Sequence, residues 1–75
     1  MKLSELKKGQ SARIAAMPSS GALRRRLAEM GMLVGEVVRV EGVAPLGDPM
    51  ELTIRQYRLT LRKSDTENIA VEEVR

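Results

Sequence analysis

Residues 50–63, MELTIRQYRLTLRK, constrain the fold more than any other stretch. Met50, Leu52 and Ile54 alternate with Glu51, Thr53 and Arg55, and then Tyr57, Leu59 and Leu61 alternate with Arg58, Thr60 and Arg62. A period of two over both runs predicts two half-buried strands. With Arg55 and Gln56 as a two-residue loop, Ile54 falls opposite Tyr57, Leu52 opposite Leu59 and Met50 opposite Leu61. Thr53 then faces Arg58 on the solvent side. A slip of one residue would turn one strand's apolar set outward, so the pattern pins the register. Two-residue loops favour turns with positive φ, which suit Gly, Asn or Asp. Arg55 and Gln56 are none of these, so at least one of them is expected at positive φ, and Gln56→Gly is expected to stabilise the turn.

The remaining elements follow from shifts of period. In GQSARIAAM a short strand after Gly9 places Ala12, Ile14 and Ala16 on one face. MPSSG interrupts it, since Pro18 cannot donate to a ladder. GALRRRLAEMG then changes to helical spacing, with Leu23, Leu27 and Met30 on one face and Ser19 or Ser20 as N-cap. Gly31 suits the left-handed position that ends the helix, with Met32 as its apolar partner. Gly35 turns the chain into EVVRVEGVA, a strand with Val38, Val40 and Gly42 on one face and Val37 on the other. The loop APLGDP leads to the hairpin, and Pro49 biases Asp48 to an extended conformation. KSDTEN supplies a helical turn, and IAVEEV closes the chain with Ile69, Val71 and Val74 inward.

The order is strand, helix, three strands, helical turn, strand. Short strands with Gly and Pro turns predict a mainly β fold, a small antiparallel barrel whose closure removes exposed edges, with one α-helix inserted after the first strand. The 75 residues make a single domain, 1–75, with no internal repeat or linker.

Composition narrows the chemistry. The chain has no cysteine and no histidine, which removes disulfides, thiol catalysis and the usual ligands for a transition metal. No nucleophile stands near a base and no glycine-rich phosphate loop follows a strand, so no catalytic, cofactor or metal residues are assigned and no enzyme activity is expected. The net charge of +3 permits an anionic partner without demanding one. No apolar run approaches the roughly 20 residues of a spanning helix. MKLSELKKGQ lacks the apolar core of a signal peptide, so a cytoplasmic location is expected.

Candidate partner-binding residues are Arg24, Arg25, Pro45, Leu46 and Asp48. Arg24, Arg25 and Arg26 lie early in the helix, where the macrodipole disfavours cations. They form either a solvated face or a contact with an acidic surface or phosphate, and their helical fan lets at most two of them address one partner. Arg58 and Arg62 share the outer face of one strand. Leu46 sits between Pro45 and Pro49 with no alternation to draw it inward, so it either anchors a partner or folds back over a barrel end. Asp65, Glu67, Glu72 and Glu73 form an acidic group, read as solvated surface or as a hard-cation site.

Together LRRRLAEMGMLVGEVVRV, APLGDPMELTI and YRLTLRKSDTENIAV resemble the FeoA family over nearly the whole chain. That resemblance implies an SH3-like β-barrel. It also implies the role of the free-standing members, small cytosolic accessory proteins of bacterial ferrous iron uptake that act on FeoB, a membrane transporter with a GTPase domain. Related domains end DtxR-type metal-dependent repressors, but no DNA-binding helices precede this one. The chain departs from the family's pattern at Gln56, where glycine is usual, and at Thr66, where alanine is frequent. The family's link with metal is taken as a link to iron transport, with no ligand set here. The expected function is therefore an adaptor for FeoB, associated with the membrane only through that partner. The alternatives are a nucleic-acid-binding barrel and a carboxylate-based metal sensor of the DtxR kind. Base stacking needs exposed aromatics, and Tyr57, the only aromatic, is expected on the core face, so no specific nucleic acid is expected.

Overall fold

The computed structural model describes residues 1–18 and 21–74. Five strands form one antiparallel sheet: β1 (Ser11–Ala16), β2 (Val37–Val43), β3 (Met50–Ile54), β4 (Tyr57–Leu61) and β5 (Ala70–Val74). Their spatial order is β4-β3-β2-β1-β5. Helix α1 (Ala22–Glu29) joins β1 to β2, and the single turn α2 (Lys63–Thr66) joins β4 to β5. The mainly β fold with one inserted helix is therefore as the periodicity predicts. The expected full closure is not: β4 and β5 end the sheet and do not pair. A 3-10 turn, Leu3–Glu5, has no counterpart in the sequence reading. It leads the N-terminus along β5, with Lys2 bridging Ala70 and the Val71 amide donating to the Met1 carbonyl at 2.8 Å. One sheet end is thus partly covered by chain rather than by closure.

The hairpin has the register set by its alternation: Met50 opposite Leu61, Leu52 opposite Leu59, Thr53 opposite Arg58 and Ile54 opposite Tyr57. Its loop is Arg55–Gln56, and the strain sits on Arg55, at φ 56°, not on Gln56. Arg55 is the only non-glycine at positive φ among the described residues.

Two irregularities redirect side chains. Between Ile14 and Ala16 the β1–β5 register shifts, so Ala16 is exposed instead of sharing the buried face of Ala12 and Ile14. An extra residue rotates everything beyond it. A similar shift between Val40 and Gly42 leaves Gly42 half-buried while Val38 and Val40 are wholly buried.

Helix α1 ends as its sequence dictates. Gly31, at φ 84°, lets its amide reach the Ala28 carbonyl at 3.0 Å and the Met32 amide reach the Leu27 carbonyl at 2.9 Å. This double bond pattern satisfies two carbonyls that the helix leaves unpaired. It also brings Met32 back against the helix, so that Leu27 and Met32 are both fully buried while Leu23 and Met30 pack at the margin. At the other end the N-cap position is Gly21, with no side-chain cap. The Ser19 and Ser20 proposed for that role lie outside the described residues.

Strand residues Val38, Val40, Leu52, Ile54 and Val71 meet Leu27 and Met32 in one core, to which the N-terminus adds Leu3 and Leu6. Each fully buried leucine or valine contributes about 1.5–3 kcal/mol. Val74, expected inward, is half-buried.

Candidate partner-binding surface

The loop between β2 and β3 is closed by two short bonds, from the Ala44 amide to the Pro49 carbonyl at 3.1 Å and from the Gly47 amide to the Ala44 carbonyl at 2.7 Å. The closure pushes the tip outward: Leu46 is 90% exposed, and Pro45 and Asp48 are exposed beside it. Leu46 does not fold back over the sheet. The Asp48–Pro49 peptide is cis, and the chain re-enters the sheet at Met50. Asp48 Oδ1 accepts the Lys63 amide at 3.0 Å, so one carboxylate oxygen fastens the loop to the start of α2. This satisfies an amide that the helical turn leaves free.

On α1 the three arginines divide. Arg24 Nη1 donates to the Pro18 carbonyl at 2.9 Å, and Arg26 Nη2 pairs with Asp65 at 2.9 Å. Arg25 is exposed, and its side chain makes no hydrogen bond or ion pair among the described residues. No hydrogen bond or ion pair links the arginines to Pro45, Leu46 or Asp48, so the five candidate residues form two separate groups.

The sequence reading missed a third feature. Leu33 and Val34, 51% and 61% exposed, lie with Met17, Ala28 and Met32 around a shallow apolar pocket whose rim includes Arg24. A signal for it existed. Once Met32 takes the apolar contact after Gly31, the chain turns through Gly35, at φ 96°, and no period remains to bury Leu33 or Val34.

Tyr57 overturns another expectation. It lies on the inward face opposite the buried Ile54, yet it is 46% exposed, because β4 is the last strand of the sheet and nothing beyond covers it. Its hydroxyl donates to the Met30 carbonyl at 2.6 Å, tying β4 to the end of α1. Arg55 makes the corresponding tie on the other side of the turn, with Nε at 2.9 Å and Nη2 at 2.8 Å from Glu36 Oε2. The hydrogen bond to Glu36, with that residue's charge, holds the guanidinium above its ordinary range.

Among the described residues no three acidic side chains converge, so Asp65, Glu67, Glu72 and Glu73 do not form a common donor set. Asp65 is occupied by Arg26, and Glu73 accepts Gln10 Nε2 at 2.8 Å. No described helix is long and apolar enough to cross a membrane.

The FeoA domain model matches residues 1–73. A fusion of Fe(2+) transport protein A with the Fe(2+) transporter FeoB, from Porphyromonas gingivalis, is 40% identical over 72 residues, which is 96% of this chain and 8% of the fusion protein's length. The solution structure of iron(II) transport protein A from Clostridium thermocellum is 44% identical, covering 99% of this chain and 46% of that one, with a TM-score of 0.93. Zinc-complexed FeoA from Stenotrophomonas maltophilia, described as a prokaryotic SH3 domain protein, is 33% identical over 96% of this chain and 89% of that one, with a TM-score of 0.82. The helix ending at Gly31, the APLGDP loop and the hairpin all fall inside the matched span. This chain belongs to the FeoA family, which is associated with ferrous iron transport, and it has that family's SH3-like fold.

Proposed function

We propose that this chain is a cytoplasmic adaptor that binds the cytosolic region of FeoB and supports ferrous iron transport or its GTPase cycle. One observation carries the reading: in the Porphyromonas gingivalis relative, a segment 40% identical to this chain is joined to FeoB. Fusion holds two modules at high mutual concentration, which is useful where they act on one another. Surface chemistry supports an interaction role. Leu46 and Pro45 stand on a loop fastened by Asp48, and an apolar side chain on a stiffened loop loses little freedom when a partner covers it. Arg24 and Arg25 present positive charge on α1, and Arg24 stands on the rim of the apolar pocket of Leu33 and Val34. These features suit a partner surface that is apolar with acidic residues around it.

A metal-sensing reading finds no converging donor set among the described residues, where the acidic side chains are dispersed and partly paired. A nucleic-acid reading has little: Tyr57 is the one aromatic ring, half-exposed and tied by its hydroxyl to the end of α1, and a single ring is a meagre stacking surface. The test is retention. Tagged protein mixed with solubilised FeoB at ordinary salt is expected to co-purify with it, and failure of purified, folded protein to do so overturns the adaptor role.

A further inference from the structure

Strand β4 ends the sheet, and its hydrogen-bonding pattern can be read from the hairpin register. In an antiparallel ladder, facing residues alternate between pairs that exchange both backbone bonds and pairs that exchange none. Ile54 and Tyr57 flank a two-residue turn and are of the first kind, as are Leu52 with Leu59 and Met50 with Leu61. Arg58 and Thr60 fall between, so their amides and carbonyls point away from β3, to the side with no further strand. Among the described residues no backbone bond from elsewhere in the chain reaches them.

The space next to that edge is shaped. Arg26 and Met30 of α1, Ser64 and Asp65 of α2, and Thr60 and Arg62 at the end of β4 line a cleft of about 510 Å³. Its charge is predominantly positive. Asp65 is taken by Arg26, and no carboxylate lies within ion-pair distance of Arg62 among the described residues. Arg58 meets Glu51 at 3.4 Å with both side chains largely in water, a pair worth little.

Those cations discriminate between occupants. Two copies pairing β4 to β4 about Thr60 would set Arg58 opposite Arg62, and like charges directly opposite destabilise a ladder. An acidic strand meets the reverse situation. We propose that the free edge of β4 accepts, as a sixth strand of the five-stranded sheet, an extended acidic segment of a partner protein. The segment carries Asp or Glu at positions i and i+4 facing Arg58 and Arg62, a hydrogen-bonding residue at i+2 facing Thr60, and apolar residues between them that cover the half-buried Leu59. Tyr57, tied to Met30, limits the pairing to the Arg58–Arg62 half of the edge. Assigning the segment to FeoB rests on the adaptor reading; the edge chemistry does not.

The probe is a synthetic peptide with Glu-Val-Thr-Val-Glu at its centre, titrated into isotope-labelled protein, with Lys in place of both Glu as control. The amide protons of Arg58 and Thr60 are expected to exchange freely without peptide and to become protected with it, while the Lys peptide does nothing. Thr60→Pro removes an outward amide without removing a bond to β3, so it is expected to keep the native spectrum and lose the peptide. Arg58→Glu with Arg62→Glu is expected to weaken the Glu peptide roughly tenfold or more and to favour the Lys peptide. No protection at Arg58 and Thr60 in the native protein, or unchanged binding by the charge-reversed variant, overturns the proposal. With FeoB as the probe, full retention of folded Thr60→Pro removes the assignment of the segment to FeoB and leaves the adaptor role. Peptide docking without FeoB retention removes the adaptor role and leaves the edge.

Discussion

Arg55 reaches back across 19 residues to grip Glu36, its Nε donating to Oε2 at 2.9 Å and to Oε1 at 3.2 Å. The grip joins the β3–β4 turn to the segment that enters β2, and the residue that makes it is the one held at φ 56°. The turn's positive φ therefore falls on a side chain with work to do, while Gln56 has an ordinary conformation. Gln56→Gly then relieves nothing and only frees the unfolded chain. It is expected to destabilise by about 0.4–1 kcal/mol. Thermal melts should show a fall of a few degrees for a domain this small. A rise would put the strain back on Gln56.

Gly31→Ala tests the junction of α1 with β4. Gly31 sits at φ 84°, and a Cβ there would collide with the Tyr57 hydroxyl. The left-handed conformation alone costs a non-glycine residue about 1 kcal/mol. Displacing Tyr57 also breaks its bond to Met30, so a total of about 2–3 kcal/mol is expected. In a Tyr57→Phe background the obstructing oxygen is gone, and Gly31→Ala should cost about 1 kcal/mol. Denaturant unfolding of the four proteins measures the coupling. Equal costs in both backgrounds would show that the hydroxyl does not set the fit.

Leu46→Asp separates surface from core at the loop tip. With Leu46 90% exposed, its replacement should change stability by no more than about 0.5 kcal/mol. Co-purification with FeoB should fall markedly while the melting temperature stays native. Unchanged retention would take Leu46 out of the interface.

Arg24→Glu combined with Arg25→Glu should weaken FeoB binding and flatten its dependence on salt, because exposed charges act through a screened field. Circular dichroism should remain native, since neither side chain forms an ion pair among the described residues and the one bond lost, from Arg24 to the Pro18 carbonyl, is exposed. Binding with an unchanged salt slope would mark α1 as an ordinary solvated face.

The Thr66 hydroxyl, buried, donates to the Lys63 carbonyl at 3.0 Å. Its bond is satisfied within one helical turn, so the departure from the family's alanine leaves no polar group unpaired. Thr66→Ala should shift the melting temperature only slightly, since a satisfied local bond contributes about 1 kcal/mol at most against the cost of burying the hydroxyl. A large loss would mean that the hydroxyl does more than satisfy itself.

The sequence by itself determined whatever a local period or a single backbone requirement decides. Alternation in 50–61 set every partner in the hairpin, because a slip would have exposed an apolar face, and Gly31 with Met32 set the helix ending, because few residues tolerate that φ. The same local logic put Leu46 on a Pro-flanked loop with no period to bury it, but left open whether it folds back, which only the tertiary structure decided. Tertiary structure decided which faces find cover. Tyr57 keeps the inward parity of its strand yet lies half in solvent, since β4 has no neighbour beyond it, and no period can encode the last place in a sheet. Leu3 and Leu6 join the core from a segment with no readable period, because burial depends on what the rest of the chain leaves open. Asp48 on the Lys63 amide, Arg26 on Asp65 and Arg55 on Glu36 join residues distant in sequence, and charge composition names such groups without pairing them. The free edge of β4 was beyond the sequence for the same reason: its outward amides follow from the register, but their lack of a partner follows only from where the sheet stops.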